Sequence, residues 1–266
     1  MDEVDPVDGK DAMRQFAIIV VLLLFAASAL AEGNKRHLFI LAGQSNMERL
    51  DAARLFTPLL EAALPADQLL VIKDARGGQP IRRWVSGPGR SLSAMGRGPL
   101  YRQLLGRIEA ETGGLYDFDS VTFIWMQGER DAREGLGAYY EEKLRALLAA
   151  LQQDLARHDI GLVIGRISDH GLDGPRSLDW QRVREAQMRV ADGLPLGSWV
   201  NTDDLNDGLG ADGERQVNAL HLTPSGYREL GRRFAVAAIR LLGQKAAGHK
   251  EPQPSQENDR TLVQNK

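Results

Sequence analysis

Short, almost uninterrupted apolar runs alternate along the chain with longer segments in which apolar residues recur every three or four positions. Such runs are typical of strands buried on both faces of a parallel sheet, and the longer segments are typical of helices that cover it. The pattern predicts an α/β fold, with one doubly wound domain around a central parallel sheet of about five strands. The predicted strands are residues 37–42, 69–75, 121–126, 161–168 and 199–202.

Two helical segments are clearly marked. After Gly135, apolar residues follow at spacings of three and four, which predicts a helix with one face on the sheet. Thr223 and Pro224 pair a capping residue with a proline at the first helical position, which predicts the start of the last helix. The apolar positions of the first of these helices are Tyr140, Leu144, Leu147, Leu148, Leu151 and Leu155.

The N-terminal region, residues 1–31, has the features of a secretory signal peptide. From Met13 it has a basic start, an apolar stretch of 16 residues and an Ala-x-Ala arrangement before Glu32. A membrane-spanning helix needs roughly 20 residues, so a cleaved signal is preferred over an anchor. Residues 1–12 are acidic where a signal begins basic. We therefore expect translation to start at Met13 and the mature, exported protein to begin at Glu32, in the periplasm or secreted.

The remaining chain is predicted to contain one domain, residues 32–245, followed by a flexible tail at 246–266. The tail is polar and contains prolines, so it cannot bury enough apolar surface to offset the cost of ordering. The chain has a formal net charge of −3 and no basic excess, which argues against nucleic acid as a partner. It has no cysteine, which excludes disulfides and cysteine nucleophiles.

The sequence GQSNM, residues 43–47, follows the first predicted strand and precedes a helical segment. In open α/β sheets, ligands bind at the carboxyl ends of the strands, so Ser45 is a candidate nucleophile. A helix N-terminus also favours the negative charge that develops in acyl transfer. A serine here equally fits an ordinary helix cap, and this segment alone leaves both interpretations open.

Further candidates follow the second and third predicted strands. The backbone of Gly77 or Gly78 can donate to an oxyanion, although paired glycines are more often a tight turn. The amide of Gln127 can do the same, and Glu129 can orient a histidine, although such residues also occur in surface loops without chemistry. Trp84 fits either a core position or a pocket mouth where it stacks on a sugar.

Two histidines, His170 and His221, lie in predicted loops that can reach this edge of the sheet. His221 stands directly before the capped last helix. It is a structural or capping residue in one interpretation, and in the other it is the general base that takes the Ser45 proton.

In this order, these loops resemble the SGNH hydrolases, specifically their sialate O-acetylesterase and acetylxylan esterase branch, carbohydrate esterase family six. The similarity covers about residues 37–242, and the combination of GQSNM with WMQGE makes it specific. The similar segments are GQSNM, GGQPIRRW, WMQGERD and LHLTPSGY, with VREAQ and NTDDL. The resemblance implies a flavodoxin-like, SGNH-type domain of three layers.

The resemblance also implies a function and a set of roles. Ser45 would be the nucleophile and His221 the base of an exported esterase that removes O-acetyl groups from carbohydrates. The substrates would be of the acetylxylan or sialic acid kind, and the reaction would pass through an acetyl-enzyme without metal or organic cofactor. The implied oxyanion donors are Ser45, Gly77, Gly78 and Gln127. The side chains expected to contact substrate are Gln44, Asn46 and Trp84.

The chain departs from this family at Asn218, where an aspartate generally stands three residues before the histidine. An amide can orient the imidazole but supplies no charge, and in the serine-protease triad this change lowers turnover by about four orders of magnitude. Three accounts are open. Glu129 replaces the acid, the enzyme works as a weaker Ser–His dyad, or the site only binds sugar. We favour Glu129, because it shares a loop with Gln127.

Charged residues at Glu48, Arg49 and Arg130 are further departures. They either favour an acidic ligand or face solvent, which is the more common position for charges. A general short-chain esterase and a non-catalytic sugar-binding protein remain as alternative functions.

Overall fold

The computed structural model describes residues 34–87 and 96–247, and within them a central sheet has five strands. All neighbouring strands of this sheet are parallel, in the order β2-β1-β5-β6-β7. The prediction of a doubly wound α/β domain around a parallel sheet is confirmed. The strands are β1 (Arg36–Gly43), β2 (Gln68–Ala75), β5 (Ser120–Met126), β6 (Gly161–Gly165) and β7 (Gly197–Val200).

The strand interiors are apolar because the sheet is covered on both faces. Every residue of β5 and β6 is buried, as are all residues of β1 after Arg36. β6 ends at Gly165, before the end of the predicted run 161–168, and residues 166–168 continue into a loop. The long run therefore combines a strand with the loop that follows it.

Helices form the two outer layers. One apolar cluster joins α4, α6 and α7 to the sheet, and another joins α1, α2, α3 and α8 to its opposite face. The predicted helix after Gly135 is α6, and the predicted last helix begins at Pro224. The helices are α1 (Ser45–Arg49), α2 (Ala52–Leu55), α3 (Thr57–Ala63), α4 (Pro99–Thr112), α5 (Glu129–Arg133), α6 (Gly137–Asp154), α7 (Ser177–Asp192) and α8 (Pro224–Ala247).

The order of the strands determines where a ligand can bind. The chain passes from β1 to β2 on one side and then returns to add β5 on the other side of β1. Such a reversal leaves a crevice at the carboxyl ends of the two strands that flank it. Short strand pairs lie in the connecting segments: β3 (Val85–Ser86) with β4 (Gly96–Arg97), and β8 (Gly208–Leu209) with β9 (Arg215–Gln216).

Gly43 ends β1 in a conformation that favours glycine, with φ of +147°. A Cβ added there would lie 2.0 Å from the carbonyl oxygen of Met126. We expect Gly43→Ala to lower the free energy of unfolding by at least about 2 kcal/mol, from backbone strain and this clash. Gly106→Ala is the control, since a Cβ on that helical glycine meets nothing within 4 Å. It should raise the free energy of unfolding by about 0.5–1 kcal/mol. Equal effects in urea unfolding would contradict this account.

The predictions for the chain ends lie largely outside the described residues. The signal peptide, the start at Met13 and the mature end at Glu32 all fall in 1–33. α8 extends to Ala247, so it includes the first two residues of the predicted tail. The described residues from Arg36 onward form one compact unit. Within the described ranges, no helix combines the length and apolar character needed to cross a membrane.

Candidate active site

The end of β1 places Ser45 at the crevice. The Gln44 N–H donates to the carbonyl of Met126 at the end of β5 (2.9 Å), and the chain then turns into α1, of which Ser45 is the first residue. Ser45 is half-buried. Because the first N–H groups of a helix have no partner within the helix, the Ser45 N–H is available to a ligand.

His221 lies opposite Ser45 in the loop between β9 and α8. Its Nε2 is 3.2 Å from the Ser45 Oγ, and the imidazole is half-buried. The other candidate, His170, bonds through Nδ1 to the carbonyl of Asn218 (2.7 Å) and packs against the ring of Trp180. The fold thus brings Ser45 and His221, which lie near opposite ends of the domain sequence, into contact as the sequence predicted.

Glu129 does not support His221 as we expected. Its side chain is buried, and Oε1 accepts a hydrogen bond from Asn46 Nδ2 (2.9 Å). Oε2 has no hydrogen-bond partner in the described part of the chain. Burial raises the pKa of this carboxyl. The favoured account, with Glu129 as the acid partner of His221, is therefore corrected, because its carboxylate contacts the Ser45 helix instead.

Asn218 makes no hydrogen bond to the imidazole among the described residues either. Its backbone has φ of +45°, and its Oδ1 accepts from the side chain of Asn206 (3.3 Å). In the described ranges, no carboxylate is hydrogen-bonded to His221. The arrangement is a serine–histidine dyad.

Gln127 does not present its amide to Ser45. Its Nε2 faces acceptors of the protein itself: Asp131 Oδ2 (2.6 Å), the Gln79 carbonyl (3.1 Å) and Gln44 Oε1 (3.2 Å). These acceptors already exceed the N–H groups that one amide carries. The expectation that Gln127 donates to an oxyanion is corrected, because its amide instead hydrogen-bonds the segments that follow β1 and β2.

Of the two glycines, Gly77 is the one beside Ser45. A Cβ built on Gly77 would lie 3.8 Å from the Ser45 Cβ and 2.5 Å from a carboxylate oxygen of Glu48. Gly78 has φ of +66° and open space around it, as expected of a turn residue. The backbone of Gly77 thus approaches the reaction centre closely, and Gly78 makes the turn.

The side chains expected to contact substrate are corrected as well. Trp84 is 1% exposed and packs edge-on against Trp125, with ring centroids 5.1 Å apart, so it belongs to the core. Gln44 is buried, and its Oε1 accepts from the backbone N–H of Arg130 (3.2 Å) as well as from Gln127. Asn46 is buried with all its polar atoms bonded inside the protein.

His221 is half-buried and has basic side chains nearby. Burial lowers the pKa of this histidine, and nearby Arg49, Arg133 and His170 lower it further. Both arginines are exposed, and neither has an ion-pair partner among residues 34–87 and 96–247. Arg133 was not among the residues expected at the site from the sequence. It could have been found from its position four residues after Glu129, because residues four apart lie on the same face of a helix.

Together, a parallel sheet of this order and a serine–histidine contact at its carboxyl edge form the arrangement of a serine hydrolase. Residues 49–240 match the family "carbohydrate esterase, sialic acid-specific acetylesterase". The chain belongs to this family, so the expected carboxylic ester hydrolase is confirmed. The matched segment contains His221 and begins just after Ser45.

Solved structures agree with the fold. A protein from Arabidopsis thaliana is 20% identical, with a TM-score of 0.55, and the match covers 77% of this chain and 98% of that one. XAC1771, a novel carbohydrate acetylesterase from Xanthomonas citri, is 17% identical with a TM-score of 0.57, covering 77% and 56%. NanS is 14% identical with a TM-score of 0.56, covering 80% and 99%. Comparison with curated proteins finds no match.

Proposed function

We propose that the protein is an exported serine esterase that removes O-acetyl groups from carbohydrates through an acetyl-enzyme. The observation that carries this proposal is the 3.2 Å contact between Ser45 Oγ and His221 Nε2 in a chain of the carbohydrate esterase family. Ser45 is the nucleophile and His221 the general base. Export is supported by the signal-like sequence that precedes Glu32.

The reaction takes place in two halves. His221 Nε2 accepts the proton of Ser45 as Oγ bonds to the acetyl carbon, and the carbonyl oxygen becomes an oxyanion. The N–H groups of Ser45 and Gly77 are the proposed donors to that oxyanion. When the bond to the sugar oxygen breaks, His221 returns the proton to it and the acetyl group stays on Ser45. Water then attacks the acetyl carbon as His221 takes its proton; the bond to Ser45 Oγ breaks, and His221 returns the proton to Oγ as acetate leaves.

The lowered pKa of His221 predicts the pH dependence of the reaction. A general base must be neutral, and a pKa below the usual 6.5 keeps the imidazole neutral at lower pH. We expect kcat/KM for p-nitrophenyl acetate to reach a plateau at alkaline pH and to fall to half of that plateau at a pH below 6.5. An acid limb centred above pH 6.5 would contradict the arrangement of charges around His221.

The same charges support an acidic sugar as substrate, of the sialic acid kind rather than acetylxylan. Arg49 and Arg133 are exposed, and both lie close enough to His221 to lower its pKa. The charge of Arg133 also acts on the buried carboxyl of Glu129, but neither arginine forms an ion pair within 4 Å among the described residues. A guanidinium binds carboxylates well through its planar set of donors. A substrate carboxylate beside the acetyl group could bind these exposed guanidinium groups directly.

Arg133→Gln should therefore raise KM for an O-acetylated sialic acid about tenfold, the loss of about 1.4 kcal/mol from a charge-assisted contact. KM for neutral p-nitrophenyl acetate should stay within about twofold. Arg130→Gln is the matched control, since Arg130 lies on the same helix but bonds Glu134 through its Nε (2.6 Å). An equal change in KM for both esters, or the same change in the control, would contradict this substrate assignment.

The proposed function is tested by measuring acetate release from O-acetylated sialic acid, acetylated xylan and p-nitrophenyl acetate. Preference for the first supports the proposal. Turnover of p-nitrophenyl acetate alone would indicate a general short-chain esterase. No turnover by folded protein would indicate a non-catalytic sugar-binding protein, the alternative that Asn218 favours.

A further inference from the structure

We propose that Asn46 is a positioning residue whose side chain clamps the His221 loop to the Ser45 helix and so holds the dyad together. This inference rests on the proposed function. It assigns to a buried amide the orienting task that an acid performs in a triad.

Asn46 contacts the loop on both sides of the histidine. Its Nδ2 donates to the carbonyl of Leu220 (3.2 Å), and its Oδ1 accepts from the N–H of Leu222 (3.4 Å). Asn46 is also the residue next to Ser45 in α1, and it is 1% exposed. One side chain therefore links the backbone around the base to the backbone of the nucleophile.

The orientation of this amide is fixed by two further bonds. Nδ2 also donates to Glu129 Oε1 (2.9 Å), and Oδ1 also accepts from the hydroxyl of Tyr227 (2.9 Å). An amide turned by 180° would place its oxygen against the carbonyl of Leu220 and its NH2 group against the N–H of Leu222, so that acceptor faces acceptor and donor faces donor. This contact gives the buried carboxylate of Glu129 a role without any bond to His221.

The clamp matters because the described residues give His221 no acid partner. Other bonds hold the same loop, as when Asn206 Nδ2 donates to the carbonyl of Ala219 (3.0 Å), but its side chain has no hydrogen bond to the Ser45 helix among the described residues. A displacement of about 1 Å between reacting groups costs about 10²-fold in rate. The 3.2 Å contact of the dyad thus depends on Asn46.

The test compares Asn46→Ala with Asn206→Ala in the full chain, since both amides are buried and both bond this loop. We expect Asn46→Ala to lower kcat for p-nitrophenyl acetate about 100-fold with KM within about twofold, and to slow labelling of Ser45 by a fluorophosphonate equally. Asn206→Ala should lose thermal stability but keep kcat within about fivefold. Equal losses of kcat in the two variants, or an unchanged kcat in Asn46→Ala, would overturn the proposal.

Tyr227→Phe provides a milder variant in case Asn46→Ala does not fold. It removes one bond of the clamp, and kcat should fall several-fold while KM is unchanged; no fall in kcat would overturn the proposal. The unmodified protein and Ser45→Ala are measured alongside. Absence of Ser45-dependent turnover would overturn the proposed function itself, whereas Ser45-dependent turnover with a normal Asn46→Ala would overturn the clamp alone.

Discussion

Replacing Ser45 with alanine will lower turnover of p-nitrophenyl acetate at least about a thousandfold. The substitution removes the atom that bonds to the acetyl carbon, and loss of a nucleophilic serine leaves only the contribution of binding and oxyanion donors. Ser45 is half-buried and its hydroxyl contacts His221, so the fold should tolerate the change. Initial rates and the melting temperature of both proteins are the measurements.

Ser225→Ala is the control for this substitution. Ser225 is exposed at the start of α8, and its hydroxyl bonds Thr223 rather than His221 (2.9 Å). It should keep full turnover. A folded Ser45→Ala protein that retains more than about a tenth of the activity would rule out Ser45 as the nucleophile.

Replacing His221 with alanine should have a comparable effect, about a thousandfold on kcat. The imidazole is the base that contacts Ser45 Oγ, and without it the hydroxyl remains a weak nucleophile. Rates are to be measured at pH 8, where the His221 imidazole of the unmodified protein is neutral and acts fully as a base.

His170→Gln distinguishes the two histidines near the crevice. His170 bonds the carbonyl of Asn218 and has no contact with Ser45 among the described residues. Its loss should reduce kcat less than about tenfold. A loss as large as that of His221→Ala would contradict the assignment of the general base.

The fold was predictable because its signal is local. β1 and β5 are apolar over most of their length, and the apolar period of α6 is regular, so each element is defined by its own residues. The carboxyl edge follows from parallel strands alone. Ser45 and His221 could therefore be placed at one site, although they are far apart in the chain.

The roles of the other polar residues were not predictable in the same way. Gln127 and Glu129 lie in the expected loop, but their hydrogen-bond partners could not be read from it. Glu129 bonds Asn46, which belongs to another segment. Gln127 bonds Asp131 of the same loop, whose side chain faces inward only in the folded protein. From the sequence, Trp84 fitted either the hydrophobic core or the rim of a pocket. Its packing against Trp125 places it in the core. Composition and spacing carry no information on such competition between hydrogen bonds.

Asn218 shows the same limit. The sequence revealed the missing acid and left three accounts open. The structure argues against the favoured one, because the carboxylate of Glu129 contacts Asn46, and leaves the weaker dyad and the sugar-binding site as the two remaining accounts. Because no carboxylate stabilises the imidazolium in such a dyad, we expect its kcat to be lower than that of a full triad.

The central claim is that Ser45 carries the acetyl group during turnover. Rapid mixing of the protein with p-nitrophenyl acetate, acid quenching and peptide mass analysis will test it. We predict that the peptide containing Ser45 gains the mass of one acetyl group within the first turnover, and that Ser45→Ala gains none. Acetate release with no acetylated peptide, or with the acetyl group on another residue, would contradict the account.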